Sequence, residues 1–238
     1  MRIAQILFSQ GMGSRRECAA LLARGAVVVQ GRTVHDPDED FATDDLVFEV
    51  DGHPWPFHDT AIILLHKPAG YECSRQPVHH PSVLDLLPSP LRQRGVQPVG
   101  RLDEDTSGVL LLTDDGPLLH RLTSPRHHVE KVYEVTVRHP VTGLQAAALR
   151  QGVVLRDDPV PAMATACEVT GERSLRLTLT QGRYHQVKRM VAAAGNRVEA
   201  LHRSAFGGVT LPGDLAPGGW DWRTTADIAT LPAPARGG

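Results

Sequence analysis

The densest concentration of groups able to do chemistry lies at residues 100–116, where Arg101, Asp103, Glu104 and Asp105 precede an apolar run that ends at Asp114-Asp115. Carboxylates at this spacing suit three kinds of chemistry. In the first, Asp103, Asp105, Ser107, Gly108, Leu110 and Asp114 fall on positions 1, 3, 5, 6, 8 and 12 of an EF-hand calcium loop. That reading fails on its flanks. Gln97-Pro98-Val99-Gly100 cannot supply the helix that must enter such a loop, and Leu111 stands at position 9. In the second, Asp103, Asp105 and the 114–115 pair hold two metal ions for phosphoryl transfer. No phosphate loop or H-E-x-x-H accompanies them, and Asp114 suits the cap of a helix starting near Pro117. In the third, one carboxylate is a nucleophile. Arg101 and Asp103 are two residues apart, so an extended segment presents both on one face, and the guanidinium keeps the acid ionised. By spacing alone the second and third readings both stand.

The basic residues carry a bias of their own. Of 25, only Lys67, Lys131 and Lys188 are lysine. A chain that writes Arg almost everywhere keeps Lys where a compact ammonium differs usefully from a planar fork. The net charge of −2 hides strong segregation: residues 1–35 carry five Arg against one Glu, and residues 36–60 carry nine acids and no Lys or Arg. Arg15 and Arg16 would sit in a first helical turn, where the macrodipole disfavours cations, so an external anion is their natural partner. With the acids expected in a separate link, Arg15, Arg16, Arg24 and Arg32 are left to face a polyanion.

These groups must be positioned by a globular chain. At 41% hydrophobic and 22% charged residues, disorder and fibrous repeats are excluded for the bulk of it. No apolar run approaches the roughly 18 residues of a membrane span, and the N-terminal pattern is not that of a signal peptide, so a cytoplasmic protein with no membrane partner is expected. Cys18, Cys73 and Cys167 are too few and too scattered for a zinc site or a disulfide framework. Periodicity predicts a helix over 3–10, a second opened by a Ser14 to Glu17 capping box and closed near Gly25, and a hairpin turning at Gln30-Gly31. Residues 51–60, with Pro54 and Pro56, read as a linker. Beyond it, strands are predicted at 61–66, 108–113, 132–138 and 174–180, and helices at 117–123, 142–151 and 184–194. Strands mixed with helices, without regular alternation, favour an α+β fold. The resulting division is 1–58, 60–231 and a frayed tail at 232–238.

Two resemblances sharpen this. The S-R-R-E opening at Ser14, the leucines at 21 and 22, Gly25 and V-x-V-x-G over 27–31 resemble the S4 RNA-binding domain across about 45 residues. The run G-R-L-D-x-x-T-S-G-x-L-L-L-T-x-D-G over 100–116 is similar to the signature of RNA pseudouridine synthases. Lys67-Pro68-Ala69-Gly70, the stretch from Ser124 through Arg126 to Lys131-Val132-Tyr133, and the run from Gly182 to Met190 follow in the family's order, and all three lysines fall inside these motifs. Nearly the whole chain resembles the small-subunit ribosomal RNA pseudouridine synthase A group, whose namesake converts uridine 516 of 16S rRNA.

The resemblance implies an S4-like domain followed by a catalytic domain of mainly antiparallel sheet, acting as a monomer on ribosomal RNA or an assembly intermediate, with no cofactor and no metal. It implies that Asp103 is the catalytic carboxylate, that Tyr133 stacks on the flipped base, and that Lys188 holds Asp103 ionised with Arg101 beside it. Contacts to RNA would come from Arg15, Arg16, Arg24, Arg32, Lys67, Arg126, Lys131, Arg183, His185, Gln186 and Arg189. A paired uridine cannot be attacked in its stack, so the target must be single-stranded or flipped out at a cost of a few kcal/mol. A large-subunit synthase and a noncatalytic rRNA-binding or assembly protein remain the alternatives.

Overall fold

The computed structural model describes residues 1–156 and 158–228, which form two compact units. The first comprises Met1–Ala61 with Leu87–Gln97, and the second comprises Ile62–Leu86 with the chain from Pro98 onward. The tail expected at 232–238 lies outside the described residues.

In the first unit, α1 (Ile3–Ser9) and α2 (Arg15–Ala23) pack on a sheet. The capping box forms as its sequence requires: Glu17 N–H donates to Ser14 Oγ at 3.3 Å, and Ser14 N–H donates to Glu17 Oε2 at 2.7 Å. β1 (Val27–Val29) and β2 (Arg32–Thr33) turn through Gln30 and Gly31, both at positive φ as a two-residue hairpin demands. β3 (Val47–Val50) and β4 (His53–Pro56) complete an antiparallel sheet of order β2-β1-β3-β4. Ile3, Ile6, Leu22, Val27 and Phe48 form its core. A later helix, α3 (Ser89–Arg94), joins this unit, with Arg94 Nη1 donating to Gln10 Oε1 at 2.7 Å.

Two expectations fail here. Four of the ten residues read as a linker form β4, which tolerates Pro54 and Pro56 because it is the sheet edge, and its Trp55 packs against the core. The acidic stretch does not stand apart either. Asp51 takes both guanidinium nitrogens of Arg24 at 2.6 Å, Glu39 pairs with Arg32, and Asp38 pairs with Arg2 at 3.0 Å.

The second unit contains β5 (Ile62–Lys67), a strand pair of residues at β6 (Gln97–Pro98) that begins at the unit boundary, β7 (Thr106–Thr113), α4 (Gly116–Thr123), β8 (Lys131–Val137), α5 (Gly143–Gln151), β9 (Val153–Leu155), β10 (Asp158–Ala162), β11 (Ala166–Gly171), β12 (Ser174–Leu179), α6 (Gln186–Ala193), β13 (Val198–Phe206), β14 (Val209–Thr210) and β15 (Trp220–Trp222). Its main sheet runs β11-β12-β8-β13-β7-β5-β15. Every neighbour along that path is antiparallel except β13 and β7, which run parallel. The α+β expectation holds. Leu64, Val109 and Leu111 pack under Leu118 and Leu122 of α4, each buried leucine contributing about 1.5–3 kcal/mol. Asp115, not the expected Asp114, caps α4 by accepting from Leu118 N–H at 3.0 Å.

Gly108 explains part of the 100–116 pattern. A Cβ there would lie 2.2 Å from the Arg203 carbonyl oxygen, and its φ is +115°, so only glycine lets β7 lie against β13. Helix α6 begins at Gln186 rather than at 184, because His185 takes a left-handed conformation (φ 47°) that ends helical geometry there.

Candidate active site

The 100–116 run reaches the site through a loop. Gly100 (φ +75°) breaks the extended backbone, Leu102 turns inward with its N–H on the Cys73 sulfur at 3.4 Å, and Asp103 follows on the wall of a cavity of about 1150 Å³. Burial pushes the Cys73 thiol up, so it stays protonated there. Behind the loop, Lys67 is fully buried and its Nζ donates to the carbonyls of Pro68, Glu104 and Thr106 at 3.0, 3.2 and 2.7 Å. Gly70 N–H adds a bond to the Glu104 carbonyl at 2.7 Å. Three rotatable donors on a compact ammonium do what a planar guanidinium could not. Burial pulls the Lys67 pKa down despite nearby acids. The expectation that Lys67 touches RNA is therefore wrong, since a side chain with no exposed surface clamps the loop instead.

Around Asp103 the geometry is specific. Lys188 Nζ lies 3.1 Å from Asp103 Oδ2, and His185 Nε2 lies 3.4 Å from Asp103 Oδ1. The same ammonium sits 2.6 and 2.8 Å from the two oxygens of Asp105. Partial burial opposes the Lys188 charge, but the hydrogen bonds that it donates to Asp105 and Asp103 prevail and raise its pKa. The Asp105 carboxyl is likewise penalised by burial, yet Lys188 holds it below its ordinary value. No ion pair joins Arg101 to Asp103 among the described residues. The loop is not a strand, so the two-residue spacing does not put them on one face; Arg101 lines the cavity exposed to solvent.

Tyr133, 9% exposed on β8, faces the same cavity, paired across the sheet with Arg203 of β13. Lys131, two residues earlier, lies with its Nζ 5.5 Å from the Phe206 ring centroid and donates to the Val129 carbonyl at 2.8 Å. Burial, and secondarily the Arg203 guanidinium, push its pKa down to about 8. No role was expected of Arg203. It is 2% exposed, donates Nε to the Val109 carbonyl at 2.8 Å, stacks over Phe206 at 5.1 Å, and leaves Nη2 without a partner. The alternation of Leu201 and Arg203 along β13, opposite Tyr133, was the available signal.

The other expected RNA contacts divide. Gln186 is buried, accepting from Arg183 N–H at 2.8 Å and donating to the Met190 sulfur, so it shapes the turn and is not free to bind RNA. Arg183 is held by Asp158 at 2.8 Å and by the Val160 carbonyl at 2.7 Å. Arg189 donates to the Tyr184 carbonyl at 3.1 Å. Arg126 is exposed on the turn Pro125–His127. In the first unit Arg15 and Arg16 are exposed, Arg15 lying over the Phe8 ring at 5.4 Å, whereas Arg24 and Arg32 are engaged by acids. Among the described residues no three His, Cys, Asp or Glu side chains converge as ligands for a metal ion, and no helix is long and apolar enough to cross a membrane.

This loop and cavity coincide with a known family. Residues 61–193 match the RNA pseudouridylate synthase family, and residues 1–47 match the S4 domain. The chain belongs to the RNA pseudouridylate synthase family. The synthase is 41% identical over 242 residues to the ribosomal small subunit pseudouridine synthase A of Yersinia pestis, covering 98% of this chain and 99% of that one. It is also 41% identical over 239 residues to the protein of that name from Escherichia coli strain K12, covering 97% and 100%. A pseudouridylate synthase solved by crystallography superposes with a TM-score of 0.69 at 33% identity, over 97% of this chain and 99% of that one. As an RNA pseudouridine synthase the protein is an isomerase; the S4 match falls within the first unit, and the synthase match falls in the second apart from residues 61 and 87–97.

Proposed function

We propose that this synthase acts on ribosomal RNA of the small subunit, at uridine 516 of 16S rRNA, as a cytoplasmic monomer working on the RNA or on an assembly intermediate. The observation that carries the site assignment is the Asp103 carboxylate, flanked by Lys188 Nζ at 3.1 Å and His185 Nε2 at 3.4 Å on a cavity that also holds Tyr133. The small-subunit substrate rests on the near-full-length likeness to the synthase A proteins.

The reaction breaks the bond from uracil N1 to ribose C1′, turns the base and joins C5 to C1′, after which the C5 proton leaves and N1 gains one. Atoms and electrons balance within one nucleotide, so the chemistry calls for no cofactor. Asp103, with the Lys188 ammonium beside it, attacks the ribose or base or drives glycal formation. Tyr133 stacks on the extruded uracil and holds it during rotation.

The test is to map pseudouridine with carbodiimide in 16S and 23S rRNA from a strain lacking this gene, then restore the gene. Loss and recovery of a single pseudouridine at 516 is expected. Loss from 23S rRNA would overturn the small-subunit assignment, and no loss anywhere would leave a noncatalytic RNA-binding protein.

A further inference from the structure

The loop that carries His185 to Asp103 also presents an aromatic ring that the chemistry above does not use. Tyr184 is 75% exposed and lines the same cavity. Its ring lies on the His185 imidazole with centroids 3.9 Å apart and planes at 18°. One face of the phenol ring is thus covered by histidine while most of the side chain remains open to water. The backbone below is fixed from several sides: the Arg183 guanidinium is tied to Asp158 and to the Val160 carbonyl, Arg183 N–H is taken by Gln186, and Arg189 holds the Tyr184 carbonyl. A large, flat, wet ring on so rigid a support, next to Arg183, Lys188 and Arg189, has the composition of a stacking surface for single-stranded RNA. Extruding a uridine also deprives the adjoining base of its stacking partner.

We propose that Tyr184, backed by His185, is a platform on which a nucleobase adjoining the target uridine stacks when that uridine enters the cavity. This rests on the assignment of the reacting uridine to the cavity of Asp103. The platform reads the flank by its π face, so it tolerates any base and contributes to binding rather than to bond making.

The experiment uses the full-length protein and an RNA fragment carrying 2-aminopurine on one side or the other of the target uridine. Wild type and Tyr184→Phe should quench the fluorescence of one of the two probes, and Tyr184→Ala and Tyr184→Leu should not. KM should rise about tenfold in Ala and Leu, with kcat changed less than about threefold, and Phe should behave as wild type. Because the side chain is exposed, unchanged melting curves will show that the variants fold. Wild-type quenching and KM in Tyr184→Ala would overturn the platform. A fall in kcat at unchanged KM would overturn it as well, since Tyr184 would then only hold His185 beside Asp103. The Asp103→Asn protein should quench like wild type without turnover, and turnover by that protein would overturn the cavity assignment whatever the quenching shows.

Discussion

Lys188 Nζ lies closer to Asp105, at 2.6 Å, than to Asp103, at 3.1 Å, so the cation beside the candidate catalytic carboxylate is shared with a second acid. One ammonium between two carboxylates leaves the pair with a net negative charge. Asp103 therefore shares its cation with Asp105 and is not locked with it in a one-to-one pair.

Asp103→Asn should lower turnover by about 10⁴-fold or more while the fold persists. Tritium release from RNA labelled at uracil C5 measures the first and a melting curve the second; wild-type release would remove Asp103 from the chemistry.

Lys188→Met should cost about 100-fold in kcat and Lys188→Arg about tenfold, because charge matters most and a planar fork cannot reach both acids as the ammonium does. Asp105→Asn should lose less than about tenfold, since Asp103 keeps Lys188. Equal rates for Lys188 and its Met variant would exclude the cation from the site.

Lys67→Met should destabilise the protein by about 3 kcal/mol, because three carbonyls lose a buried donor. The salt dependence of RNA affinity should stay as in wild type. A flattened salt slope with normal stability would mean that Lys67 touches phosphate after all.

RNA affinity should fall as pH rises through about 8, where Lys131 loses its proton. The sign is opposite for stability. Between about 8 and the ordinary lysine value of 10.5 the unfolded chain binds more protons than the folded one, so this group makes the fold more stable with rising pH in that window. Lys131→Met should abolish the affinity step in binding titrations from pH 7 to 9, and a step that survives belongs to another group.

Arg15→Ala combined with Arg16→Ala should reduce the slope of log affinity against log salt by about 1.8 if each contacts duplex phosphate, and by less on single strands. Arg24→Ala with Arg32→Ala should change it less, because Asp51 and Glu39 already engage those side chains.

Local pattern alone determined the capping box at Ser14 and Glu17, the Gln30-Gly31 hairpin, the strands around 62–67 and 106–113, and the long motif that marks Asp103. Each depends on residues within a few positions of one another, or on a family signature that the residues spell directly. Three lysines in an arginine-rich chain also proved legible as special, and the structure places Lys188 between Asp103 and Asp105 and Lys67 as a buried clamp behind the loop. Tertiary structure decided what depends on residues far apart in sequence. Arg24 lies 27 residues from Asp51, so the charge blocks that looked separate fold onto each other. Arg101 makes no ion pair with Asp103 because Gly100 bends the loop, and the cation at Asp103 is Lys188, 85 residues further along the chain. The buried Arg203 beside Tyr133 and the ring of Tyr184 on His185 follow from strand register and from one left-handed residue. A sequence pattern records neither, because burial and cross-strand pairing are set only when the sheet closes.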